Sequence, residues 1–273
     1  MIKNKTCALI TILCLSWSIF EYSIDGVNAQ EITTSQAKPI ILLKKMTPEL
    51  YYGTTTTTIW QLNWKNPAFV LYDDGLVIFR KKTDDFNFFS VKLPPDEMNK
   101  LQDEFGVNEQ FMNLEEHYNI NDDSDPPINT IATWQDQKEK SVTVVGHLND
   151  DKEDDRKKTS PTFLKLFDQL NSFEHFQAQN WQPQSVRILI TAFPGSQGEP
   201  ATWPQGWPDL MDQATQKITS DSYAIYLNGE SLHEFEQLMA NLKENQAVLI
   251  NEKRWYISPE RYCLPGEESW AQR

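Results

Sequence analysis

Two stretches of the chain concentrate carboxylates. One carries Asp122, Asp123 and Asp125; the other carries Asp150, Asp151, Glu153, Asp154 and Asp155. Clustered oxygen donors suit a hard cation such as calcium. Neither stretch has the alternating ligands, central glycine and closing glutamate of an EF-hand, and a solvated loop accounts for both runs equally well. His117, His147, His175 and His233 stand far apart, with no His-x-x-x-His or Cys-x-x-Cys spacing for zinc. Gly195-Ser196-Gln197-Gly198 is not the Gly-x-Ser-x-Gly elbow that exposes a nucleophilic serine, and its glycines read as a turn. His147 could pair with a nearby acid as a general base, or serve as an ordinary residue at a strand end. Phosphate loops and dinucleotide fingerprints are missing, so no catalytic residue, metal ligand or cofactor contact is assigned. Binding has a better motif. Trp203 and Trp207 share a Pro/Gly-rich loop, where flat aromatics either stack on a ligand or fold over the core as a lid.

The ends and the composition bound what such residues can serve. Lys3 and Lys5, an apolar run over 8–20 and Val27-Asn28-Ala29 before Gln30 have the layout of an export signal over residues 1–29. The apolar run falls short of the ~20 residues a membrane span needs. The mature chain is therefore expected outside the cytoplasm, periplasmic or secreted, without stable membrane insertion. Cys7 and Cys14 leave with the signal and strand Cys263, which reads as a small half-buried residue. The net charge of -14 repels phosphate backbones, so nucleic acid is not an expected partner. With 39% hydrophobic residues the chain can bury a core and is not a disordered acidic tail.

The elements that must position these residues are legible in part. Residues 69–80, Phe-Val-Leu-Tyr-Asp-Asp-Gly-Leu-Val-Ile-Phe-Arg, form the strongest local signal: two runs of β-formers meet at an Asp-Asp-Gly corner. Either Asp74-Gly75 takes a type I′ turn, or Gly75 takes the left-handed position of a three-residue loop. Large apolar side chains point to both faces, which places the hairpin centrally in a sheet. After a flexible leader over 30–38, residues 39–45 are a strand or a helix turn, and 54–64 are a strand on the strength of five threonines and an aromatic tail. A strand over 87–93 leads to a helix opened by Pro94-Pro95 and closed by Gly106. A short helix is expected within 108–118, a second hairpin over 128–134 and 141–148, a solvated loop over 149–158, and a helix capped by Ser160. Residues 181–184 read as a joint. Beyond it come a strand over 186–193, an irregular stretch over 194–208, a helix over 209–218, a strand over 223–227, a helix capped by Ser231, and a final hairpin through 251–253.

Tyr72-Asp73-Asp74-Gly75-Leu76-Val77, followed later by Asp125-Pro126-Pro127 and Asn129-Thr130, resembles an uncharacterised family of exported bacterial proteins with a Tyr-Gly-Asp-Gly-Thr-Val type hairpin. The resemblance covers roughly the first half of the mature chain and brings no established activity. The cysteines that such proteins place just before the hairpin have no counterpart here. The expectation is an α+β protein with antiparallel sheets and helices packed on one face. It has two sequential units over 39–180 and 181–273, and engages a protein or small-molecule ligand through loops that include Trp203 and Trp207. The alternative is an extracytoplasmic hydrolase whose site is assembled from distant residues.

Overall fold

Alternation of buried side chains along the β-rich runs dictates a layered body. The computed structural model describes residues 37–46, 66–81, 84–121, 126–135, 138–243 and 245–267. The export segment, the expected strand over 54–64 and the Asp122, Asp123 and Asp125 loop lie outside these residues. In the first half, β1 (Pro39–Met46), β2 (Phe69–Tyr72), β3 (Leu76–Lys81) and β4 (Asp84–Lys92) are followed by α1 (Pro95–Phe105), α2 (Glu109–Met112) and β5 (His117–Asn119). The hairpin β6 (Ile128–Gln135) and β7 (Lys138–Val145) then precedes α3 (Glu153–Lys158), α4 (Pro161–Asn171) and β8 (Gln179–Asn180). The second half runs β9 (Ser185–Ala192), β10 (Ala201–Thr202), β11 (Thr215–Lys217), β12 (Ser222–Asn228), α5 (Leu232–Asn241), β13 (Val248–Ile250) and β14 (Lys253–Tyr262). An eight-stranded sheet has the order β5-β7-β6-β1-β2-β3-β4-β8, and a six-stranded sheet the order β10-β13-β14-β9-β12-β11. Pairing is antiparallel except for β5 with β7 and β10 with β13, so the class is α+β.

The hairpin at 69–80 is central, as its two apolar faces require. Phe69 and Leu71 of β2 and Val77 and Phe79 of β3 join one buried cluster with Phe105 of α1, Phe111 of α2 and Phe163, Leu166 and Phe167 of α4. Val70, Tyr72 and Ile78 point the opposite way, into a cluster with Val186, Ile188, Ile190, Ile225, Val248, Trp255 and Ile257 of the six-stranded sheet. The period-2 geometry of a strand thus feeds two cores from one hairpin. Each fully buried Phe or Leu there contributes about 1.5–3 kcal/mol of transfer free energy. The sheets share the second core, and residues Ser35–Arg273 form one compact unit. The corner is the three-residue form. Gly75 N–H donates to Tyr72 O at 3.0 Å and Gly75 alone has positive φ, at 84°. A Cβ on Gly75 would lie 2.5 Å from the Leu93 carbonyl oxygen, so backbone approach as well as φ demands glycine.

Several elements differ from their expected form, each for a local reason. Residues 209–218 are turns ending in β11, not a helix. Asp209 Oδ1 accepts from Met211 N at 2.7 Å and Asp212 Oδ1 from Ala214 N at 2.8 Å, and these local turns compete with helical bonding. Met211 is 87% exposed, so the apolar spacing there is not a core stripe. The expected loop over 149–158 contains α3, whose acids occupy its first turn and whose bases occupy its last, complementing the helix dipole. Tyr118 belongs to β5, pairing in parallel with Val144, because the short helix stops at Met112. Residues 39–45, undecided by periodicity, form β1 between β2 and β6. Ser160 and Ser231 precede their helices without donating or accepting a side-chain capping bond.

Candidate functional site

The two tryptophans expected to bind a ligand, Trp203 and Trp207, are brought together and turned inward. They are 8% and 9% exposed, meet edge to face at 4.9 Å between ring centroids, and lie in the core shared by the sheets. Trp203 Nε1 donates to Pro208 O at 2.9 Å, so the Pro-rich loop closes on its own indole. Trp207 packs at 6.2 Å from Phe235 of α5.

Several of the polar candidates are engaged locally. Asp168 accepts two bonds from Arg156, at 3.1 and 2.6 Å, while Glu153 and Asp155 pair with Lys157 and Lys158. Among the described residues no three His, Cys, Asp or Glu side chains converge as a metal site. Ser196 Oγ accepts from Arg254 Nη1 at 3.0 Å, which ties the 195–198 turn to β14. His175 Nε2 stands 3.1 Å from Glu97 Oε1, and His233 Nε2 stands 3.0 Å from Gln237 Nε2. Cys263 follows β14, half-buried, and burial pushes its thiol up, away from the reactive thiolate.

Sequence reasoning missed a cleft of about 500 Å³ between the β4–β8 edge and α5. Its floor is an aromatic corner: Phe88 lies 5.8 Å from Trp181 and 5.8 Å from Tyr262, and Trp181 lies 6.1 Å from Tyr262. All three contacts are edge to face, the arrangement that ring quadrupoles favour. Phe88 and Tyr262 are buried while Trp181 is half-buried, so the indole is the ring presented to solvent. Backbone contacts hold it. Trp181 N–H donates to Phe88 O at 2.8 Å, extending the β4–β8 pairing by one bond. Gly229 N–H donates to Gln184 O at 2.7 Å, and a Cβ at Gly229 would lie 1.9 Å from Pro183 O. Glycine there lets the start of α5 press against the segment carrying Trp181.

The opposite rim is acidic. Glu230, His233 and Glu236 line the cleft, together with the amides of Asn180 and Gln182. Burial raises the Glu236 carboxyl above its ordinary value, and neighbouring His233 pulls it partly back. Burial also raises the Tyr262 hydroxyl, and the Glu236 charge adds to that. The carboxyl therefore sits within electrostatic reach of the aromatic floor. Beneath the floor, the Asn66 amide clamps the Tyr262 backbone: Nδ2 donates to Tyr262 O and Oδ1 accepts from Tyr262 N, both at 2.9 Å. Phe88, Trp181 and Tyr262 come from three distant parts of the chain, and no spacing rule connects them. A second groove, about 360 Å³ between α1 and α4, is rimmed by Glu97, Lys100, Glu104 and His175 and is lined by Phe105 and Phe173, with no tryptophan among its described residues.

No helix among the described residues is long and apolar enough to cross a membrane. Comparison with family models, with curated proteins and with solved structures finds no match.

Proposed function

We propose that this chain works outside the cytoplasm, in the periplasm or secreted, as a non-catalytic binding protein whose ligand enters the cleft over Trp181. The single observation that carries the reading is a half-buried indole, braced by two buried rings, facing a concave space rimmed by a few polar groups. Binding sites for small ligands have that construction. The export-signal layout of residues 1–29 and the resemblance of the Tyr72–Val77 corner to exported bacterial proteins support the location. The same reading takes residues 39–180 and 181–273 as two sequential α+β units, with helices packed on one face of their sheets. Trp203 and Trp207, turned inward, offer a ligand little surface, so the contact is proposed for Trp181.

A second reading has its own observation. His233 and Glu236 lie one helical turn apart on α5 and line the same cleft, as a hydrolase assembled from distant residues would require. The His233 ring meets the Gln237 amide at 3.0 Å, and no hydrogen bond between it and a carboxylate is found among the described residues.

The test uses the mature protein beginning at Gln30, its start checked by intact mass. It is incubated with chromogenic esters, phosphates, glycosides and peptides, in parallel with a thermal-shift screen of small ligands. Binding predicts shifts that Trp181→Ala abolishes and no turnover. Turnover that His233→Ala removes would replace this reading with the hydrolase.

A further inference from the structure

The chemistry of the cleft narrows its ligand, granted the binding role proposed above. We propose that it accepts an organic cation, an amine or quaternary ammonium head group, seated on the Trp181 indole and facing Glu236 and Glu230. Three independent features converge on that class. The first is the ring. Indole has the strongest face for a cation among the aromatic side chains, and the edge-on packing of Phe88 and Tyr262 behind it fixes its orientation. Phe88 is already engaged, with the Arg80 guanidinium 5.7 Å from its centroid, which leaves Trp181 as the ring available to a ligand.

The second feature is charge. Among the described residues that line the cleft there are two carboxylates and no lysine or arginine; the Arg80 guanidinium reaches the floor only through Phe88. The α1–α4 groove, by contrast, includes Lys100 among its acids. His233 adds positive charge to the cleft only when protonated, and neighbouring Gln237 engages its ring. The third feature is long-range. A body of net charge -14 draws cations toward its clefts and repels anions. Half-burial of Glu236 matters here, because a carboxylate partly removed from water attracts a poorly hydrated ammonium more strongly than an exposed one does.

The experiment is isothermal titration of the mature chain with choline, with its uncharged carbon isostere 3,3-dimethylbutan-1-ol, and with cellobiose as a neutral stacking ligand. Trp181 emission is followed by comparison with Trp181→Phe. Choline is expected to bind at least about tenfold more tightly than the isostere, and Glu236→Gln to remove most of that difference. Glu230→Gln, at an exposed rim position, provides a second charge removal that leaves packing untouched. Equal affinity for choline and the isostere, or an unchanged choline affinity in both glutamine variants, overturns the cation assignment. Cellobiose binding at Trp181 without choline binding overturns it too, while leaving the binding-protein reading standing. Silence toward choline overturns the cation assignment whatever the other ligands do, and silence toward all three combined with turnover in the hydrolase panel overturns the binding-protein reading as well.

Discussion

The Asn66 clamp offers a perturbation whose size follows from the structure. Beyond Trp255 the strand β14 has lost β13 as a neighbour, since their pairing ends at Val248 and Trp255. At Tyr262 the missing partner is replaced by a side chain: the Asn66 amide supplies one donor and one acceptor, each at 2.9 Å, and Asn66 is 1% exposed. Asn66→Ala removes two buried hydrogen bonds worth about 1 kcal/mol each net, and strands a backbone N–H and C=O whose desolvation costs about 1–3 kcal/mol each when unmet. A loss of about 2–4 kcal/mol is expected, which in a chain of this size lowers Tm by roughly 5–12 °C. Asn66→Asp preserves shape but sets a carboxylate oxygen against the Tyr262 carbonyl, so at neutral pH it should destabilise at least as much. Urea titration monitored by tryptophan emission reads both. Because Tyr262 braces Trp181, choline affinity should fall in the same variants. An Asn66→Ala protein melting within about 2 °C of the parent would refute the reasoning, since the two bonds would then carry no net free energy.

Two further perturbations test other parts of the fold. Tyr72 is 0% exposed and its hydroxyl has no hydrogen-bond partner among the described residues, so Tyr72→Phe should stabilise the protein by about 1 kcal/mol; a lower urea midpoint for the variant would show that the hydroxyl is satisfied after all. At the hairpin corner, burial alone would raise the Asp74 carboxyl, but the bonds from Lys92 and from Leu76 N–H prevail and hold it below its ordinary value. A carboxylate with a depressed folded-state value stabilises above its unfolded value and loses that contribution as pH falls through the folded one. The urea midpoint of the parent should therefore exceed that of Asp74→Asn by a constant margin from about pH 5 to 8, and the margin should shrink below about pH 4. A margin that persists unchanged to about pH 3 would remove the Lys92 contact as its source.

How much of this was legible depended on how far apart the interacting residues lie. The 69–80 hairpin could be read directly because a strand-turn-strand is specified by neighbours: alternation sets the faces, and Gly75 sets the corner. The helix over Pro95–Phe105 was equally plain, with proline inside its start, acids in its first turn and Gly106 left-handed at its end. Where short polar side chains competed for the backbone, pattern reading failed. Asp209 and Asp212 bend their own chain into turns, although the apolar spacing over 209–218 suited a helix.

The site was legible only in fragments. Trp203 and Trp207 drew notice as a pair in an irregular loop, yet whether a ring faces water or core depends on what the rest of the chain places beneath it, here Phe235 and the inner face of the six-stranded sheet. Trp181 looked like part of a joint between units, and Gly229 like one more turn. From local order alone came several strands with their faces and the ends of the helix over Pro95–Phe105, because each rests on interactions between residues a few positions apart. The meeting of Phe88, Trp181 and Tyr262 under Glu236 came from folding itself. Contacts between residues some eighty or more positions apart leave no period in the chain, and they acquire meaning when two sheets close on a common core.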